Sequence, residues 1–229
     1  MKKHLFLFFV IMIALVLIAR FVIFRKNPDT SADRPTAAES VAINETNFPD
    51  SVFRDYISKY DIDKDGSLSG EEINDVEEID LLDQDLYGSG PFEKISSMKG
   101  LEYFSSLKKL VCCGRGITDL DLSRNTKLEY LNCSGNDLTS LDVSKNTGLT
   151  ELYCGVNSLE KLDLSGNTKL IILYCHCNKI KELDLSKCQY LTDLKCGQNE
   201  LTLLKLSNIS HLQNEELDPN PCLTTVIVG

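Results

Sequence analysis

Shifted by 21 residues, this 229-residue chain overlays itself in five successive units without a gap: Leu107–Lys127, Leu128–Gly148, Leu149–Lys169, Leu170–Tyr190 and Leu191–His211. Each unit opens L-x-x-L-x-C, and the last four continue with x-x-N-x and then Leu or Ile. A second apolar pair follows in every unit, at Leu120/Leu122, Leu141/Val143, Leu162/Leu164, Leu183/Leu185 and Leu204/Leu206, with a serine directly after it. A stretch this short cannot bury its apolar side alone. Identical units must therefore stack, each covering its neighbour, with parallel strands along one side and a single continuous core. The second apolar pair predicts a second short strand and a turn in each unit.

The columns generated by the repeat separate core from surface. Cys112, Cys133, Cys154, Cys175 and Cys196 recur at the inward position. Parallel strands lie about 4.8 Å apart, but in-register side chains run alongside one another rather than converging, which is poor disulfide geometry. These cysteines are expected as buried free thiols acting as small hydrophobes. Cys113, Cys177, Cys188 and Cys222 fall outside that column, and any paired or reactive thiol is to be sought among them rather than in the ladder. Asn136, Asn157, Asn178 and Asn199 form a column whose amides can satisfy backbone groups as the chain leaves the strand, with Arg115 in that place in the first unit. Ile95, Met98, Leu101 and Phe104 mark a degenerate first repeat over 81–106, and the tail 212–229 is expected to close the stack with a strand at Val226–Val228. This is the leucine-rich repeat pattern, with cysteine in the third apolar slot.

Ahead of the repeats, Asp61-x-Asp63-x-Asp65-Gly66 followed by Glu72 matches a twelve-residue calcium loop at every specified position. A hard divalent cation takes six or more oxygens. The candidate Ca²⁺ ligands are the carboxylates of Asp61, Asp63 and Asp65, the carbonyl of Ser67, Ser69 directly or through water, and both oxygens of Glu72, with Gly66 permitting the sharp turn. Val52, Phe53, Tyr56 and Ile57 before the loop, and Ile73, Val76 and Ile79 after it, have helical spacing, so 43–80 is expected as a helix-loop-helix cap. Ser69 and Glu72 also fit a capping box, a purely structural reading of the same pair. Asp80, Asp83 and Asp85 lack the register for a second loop.

Leu5–Phe24 is apolar apart from Arg20 and follows Lys2, Lys3 and His4. Residues 1–26 therefore predict a signal peptide or a signal-anchor helix attached to a membrane, and 27–42, rich in Pro, Ser, Thr and Ala, a flexible linker. An extracytoplasmic protein is expected, membrane-anchored at the surface or secreted. With 34 acidic against 24 basic residues the net charge is -10, which argues against a nucleic-acid partner. No nucleophile or phosphate-loop motif accompanies the three histidines, so an enzyme is not expected.

Strand side chains between the inward leucine and cysteine columns face the side where solenoids bind, the concave face. Tyr130, Glu151, Ile172 and Asp193 lie in one such column, Tyr153, Tyr174 and Lys195 in the next, and His176 in the third. Aromatic residues ringed by charge suit a protein-binding centre; tyrosine also simply favours strands. Asp121, Asp142, Asp163 and Asp184 form a further column, expected to be screened by Arg124, Lys127, Lys145, Lys161, Lys169 and Lys187, or alternatively to hold Ca²⁺ between units.

The units LEYLNCSGNDLTSLDVSKNTG and LTELYCGVNSLEKLDLSGNTK resemble the cysteine-ladder repeats of internalin-like bacterial surface proteins. The segment from Ala42 to Ile73 resembles the EF-hand-like lead-in to such repeats. The resemblance implies an EF-hand-derived cap at Asn47 to Asp80. No C-terminal sorting motif is seen, so surface attachment is expected either to rest on the N-terminal segment or to be absent. The expected fold class is α+β: a leucine-rich repeat solenoid with parallel strands, a small helical EF-hand cap, and an N-terminal apolar helix before both. The expected function is that of an exported or surface-anchored Ca²⁺-binding leucine-rich repeat protein that binds a protein partner through its concave strand face. The alternative is a structural envelope module that uses Ca²⁺ only for rigidity.

Overall fold

A computed structural model describes residues 40–82, 93–207, 212–217, 219–221 and 223–229. The apolar segment 1–26, His211, Cys222, Asp83 and Asp85 lie outside these, and among the described residues no helix is long and apolar enough to cross a membrane.

The repeats build a seven-stranded parallel sheet. Its strands are β3 (Glu78–Asp80), β4 (Lys109–Val111), β5 (Tyr130–Asn132), β6 (Glu151–Tyr153), β7 (Ile172–Tyr174), β9 (Asp193–Lys195) and β11 (Asn214–Glu216), and neighbours in this order are paired. Register is strict: Leu110, Leu131, Leu152, Leu173 and Leu194 stand opposite one another and are fully buried, while the residues on either side of each leucine are mostly half-exposed. The five ladder cysteines are fully buried and unpaired. Burial pushes the Cys133 and Cys196 thiols up to about 12, so they remain protonated hydrophobes.

Two asparagine columns hold the turns. Asn136, Asn157, Asn178 and Asn199 each donate to the carbonyl of the ladder cysteine in their own rung and in the one before, for example Asn178 Nδ2 to Cys175 and Cys154 at 3.0 Å each. Their Oδ1 atoms accept a backbone N–H from the preceding rung, such as Leu159 N at 2.9 Å from Asn178. Asn220 repeats this bond to the Cys196 carbonyl, so the repeat runs one rung past residue 211. The second column is Asn125, Asn146 and Asn167, fully buried, each donating back across the stack. Cys188 occupies the next place in that column, its thiol directed at the Asn167 carbonyl, and so belongs to the core.

The second strand expected in every unit forms only in the later ones: β8 (Glu182–Leu185), β10 (Leu203–Leu206) and β12 (Thr225–Val228) make a three-stranded parallel sheet. Charge accounts for the difference. Asp184 stands opposite Lys205 across β8 and β10 and pairs with it at 3.0 Å. The equivalent neighbours in the earlier rungs are Asp121, Asp142 and Asp163, like charges side by side, which oppose strand pairing.

The structure also changes the role of that aspartate column. Each carboxylate turns back onto its own chain, accepting the backbone N–H of Ser123, Ser144, Ser165 or Ser186 at 2.9–3.0 Å. They are turn-closing groups. Among the described residues the one close ion pair in the column is Lys205–Asp184; of the expected cations, Arg124 and Lys145 act on Asp121 and Asp142 by charge without a close pair.

At the N-terminal end, α1 (Ser51–Ile57) is capped by Asp50, whose Oδ1 accepts Phe53 N at 2.8 Å. The other oxygen of Asp50 accepts both the N–H and the hydroxyl of Ser96, fastening the cap to the lead-in before the first full repeat. A 3₁₀ turn at Ser58–Tyr60 leads into the acidic loop, and α2 (Gly70–Asp75) follows. The segment expected as linker ends in β1 (Val41–Ala42), which pairs antiparallel with β2 (Ser67–Leu68) of the loop. The segment expected as a purely helical cap ends in β3, the first rung of the sheet. Gly100 has φ +104 and lies so close to Phe48 that a Cβ there would fall 2.2 Å from the ring.

Candidate functional site

The acidic loop brings its three aspartates together. Carboxylate oxygens of Asp61, Asp63 and Asp65 lie within 4.8 Å of one another, with Asp63 and Asp65 exposed. Backbone N–H groups of Asp65 and Gly66 hold the Asp61 carboxylate at 3.2 and 2.9 Å, and Asp65 accepts Ser67 N at 2.7 Å. Gly66 takes φ +84, the left-handed turn that the loop requires. Asp65 N also bonds Asp63, which lowers that carboxyl, but desolvation with the charges of Asp65 and Glu72 outweighs it and raises the group above its usual value.

Glu72 joins the two ends of the loop. Its Oε1 accepts Ile62 N at 2.7 Å, and Oε2 accepts the N–H and hydroxyl of Ser69 at 2.8 and 2.9 Å. Ser69 Oγ accepts Glu72 N in return, a complete capping box on α2. The Ser69 and Ile62 N–H groups hold the Glu72 carboxyl below the usual range. An all-oxygen set of converging carboxylates fits a hard divalent cation. Ser67 would offer the carbonyl and Ser69 the hydroxyl.

The loop is tied to the solenoid by the tyrosines that precede it. Tyr60 donates its hydroxyl to the Glu78 carbonyl at 2.8 Å, and the Tyr56 hydroxyl accepts Asp80 N at 2.8 Å, so both grip β3. The Tyr60 ring also packs on Phe104 with centroids 6.2 Å apart.

The second candidate is the outward face of the long sheet. Register places Tyr130, Glu151, Ile172 and Asp193 in one row and Tyr153, Tyr174 and Lys195 in the next. Tyr130 and Tyr153 have ring centroids 5.4 Å apart; Tyr153 meets Tyr174 edge-on at 5.1 Å, and Tyr174 meets His176 at 6.5 Å. All eight predicted residues are half-exposed and lie on this one face. Tyr153 donates to Glu151 Oε2 at 2.8 Å, and burial together with that carboxylate holds its phenol well above the ordinary range. Thr192 Oγ1 donates to Asp193 at 2.6 Å.

Three contributors lie outside the eight predicted residues. Glu78 pairs with Lys109 at 2.7 Å and Glu216 with Lys195 at 3.4 Å, extending the face by a rung at each end. Glu216 was findable, one period beyond Lys195; Glu78 was not, because 31 residues separate it from Lys109. Gly155 is the third. A Cβ there would come within 2.6 Å of the His176 ring, so the bare backbone is the floor on which the imidazole rests.

Among solved structures the chain is similar to an internalin, InlF, from Listeria monocytogenes, with a TM-score of 0.63 at 20% identity, over 83% of this chain and 65% of that one. It is also similar to internalin C2 from Listeria monocytogenes, with a TM-score of 0.50 at 17% identity, over 86% of this chain and all of that one. The chain thus spans slightly less than two thirds of the length of InlF. No protein-family model matches it, and no curated protein does. At these identities the likeness establishes the fold, a parallel-strand leucine-rich repeat solenoid.

Proposed function

We propose that this protein is an exported binding module that captures a protein partner on the outward face of its long sheet, with Ca²⁺ in the acidic loop bracing the end of that sheet. The observation that carries the reading is the run Tyr130, Tyr153, Tyr174 and His176, adjacent aromatic groups across three rungs, half-exposed and bordered by charge. Such rings supply large contact area at little entropic cost, and a polar rim confines the dry centre. Export and attachment at the surface rest on the apolar segment 1–26.

Capture from surface extracts tests the face. The wild-type chain retains a partner that the Tyr153→Ala/Tyr174→Ala variant loses, while the two chains melt within a few degrees of each other. Retention by the variant rejects this face, and capture of nothing by either chain favours the structural-module alternative.

Calcium is tested separately by melting the chain across a titration reaching millimolar, the range of extracellular sites. Ca²⁺ raises the melting temperature saturably, EDTA reverses the rise, and Glu72→Gln abolishes it. A flat response would remove the ion from the proposal and leave the binding face untouched.

A further inference from the structure

The outward face repeats one small arrangement, and at one place it is incomplete. Lys109 stands between Glu78 and Tyr130, bonded to the carboxylate at 2.7 Å with its ammonium 5.6 Å from the ring centroid. Lys195 stands between Tyr174 and Glu216 in the same way, at 5.0 Å from the ring centroid and 3.4 Å from the carboxylate. Each is a cation held jointly by an aromatic face and a carboxylate, a combination in which the two attractions act on the same charge. Midway between them lie Glu151, Tyr130 and Tyr153. The carboxylate and rings are present there, but among the described residues no lysine or arginine pairs with Glu151. Its Oε2 is oriented by the Tyr153 hydroxyl at 2.8 Å, so the group is held in place across the centre of the aromatic run.

We infer that the Glu151–Tyr153 position is a seat for a cationic side chain supplied by the protein partner, with arginine the better fit. A guanidinium can stack its plane on a tyrosine ring while its N–H fork donates two parallel bonds to the carboxylate, whereas an ammonium, as at Lys109 and Lys195, meets both groups only as a point charge. Charge over the whole face agrees. Glu78, Asp80, Glu151, Asp193 and Glu216 outnumber Lys109 and Lys195, so the surface attracts a basic segment and repels an acidic one. The inference rests on the outward face being the docking face.

The test uses the full chain carrying ring-labelled tyrosine, with N-acetyl-argininamide and its neutral isostere N-acetyl-citrullinamide as probes, and tyrosine ring resonances as the readout. The arginine probe is expected to shift resonances saturably, with the citrulline probe at least tenfold weaker. Glu151→Gln weakens the arginine probe at least fivefold, and Asp163→Asn, on a turn away from the long sheet, leaves it unchanged. Equal response to the two probes, no saturable shift, or indifference to Glu151→Gln overturns the seat. If the arginine probe behaves as expected while Tyr153→Ala/Tyr174→Ala still captures the partner, the seat stands and the docking reading is what fails.

Discussion

Where each rung leaves the long sheet, one residue takes a left-handed backbone. In the first two full repeats it is Gly114 and Gly135, both at φ 68, and in the next three it is Val156, Cys177 and Gln198 at φ 54–55. A β-branched residue is poorly suited to that conformation, since its Cβ substituents crowd the backbone. Val156 is also exposed, so burial does not compensate. Val156→Asn should therefore stabilise the protein by about 1 kcal/mol, read as a rise of about 2–4 °C in thermal melting. The need for φ > 0 in this column was hidden in the sequence because glycine, its usual mark, stops after the second full repeat. The cysteine ladder, by contrast, was fully legible, because spacing alone sets which way those side chains point.

At the scale of the element, the turns after each second apolar pair are closed by aspartates whose acidity has shifted. The hydroxyl and backbone N–H of the serine two residues on hold Asp121, Asp142, Asp163 and Asp184 below the ordinary carboxylate value, with Lys205 assisting at Asp184, which lies at about 2. A folded-state value below the unfolded one means stabilisation fully present above the unfolded value of about 3.9 and lost as the pH falls through the folded one. Stability should accordingly decline between about pH 4 and pH 2. Replacing all four aspartates with asparagine, which can still accept the serine N–H, should flatten that decline in urea melts taken at successive pH values. An unaltered slope would place the acid sensitivity elsewhere. These residues read in sequence as a surface charge row because the bond that employs them is local and leaves no trace in the period.

Over the described residues the protein is a stack in which each rung touches chiefly its neighbours, so its stability should be close to a sum over rungs and their interfaces. Excising Leu149–Lys169, one full unit, should join Gly148 to Leu170 in register and leave a folded but less stable protein. Circular dichroism would retain its shape while the denaturation midpoint falls. Loss of cooperative unfolding would contradict the additive picture. The period made this architecture legible, including the core columns and the outward face, but not its ends. At one end β1 pairs with β2 of the acidic loop, and β3 joins the long sheet across a 31-residue gap from Ile79 to Leu110. At the other, Asn220, the pairing of β11 with β9 and the pairing of β12 with β10 carry the tail on as a further rung.

The asparagine columns give that stack a direction. Every Asn136-type amide spends its Nδ2 and its Oδ1 on the rung before it as well as on its own, so each rung is held shut by the one that follows. Loss of the last rung therefore unlatches its predecessor, and opening passes upstream one rung at a time. The helical cap braces the first rung through Tyr56, Tyr60 and Asp50, while β12 carries exposed Val226, Ile227 and Val228 at the far end. Unravelling has a preferred starting point and a preferred sense of travel, from the C-terminal rungs toward the loop, and backbone amides should exchange with solvent in that order.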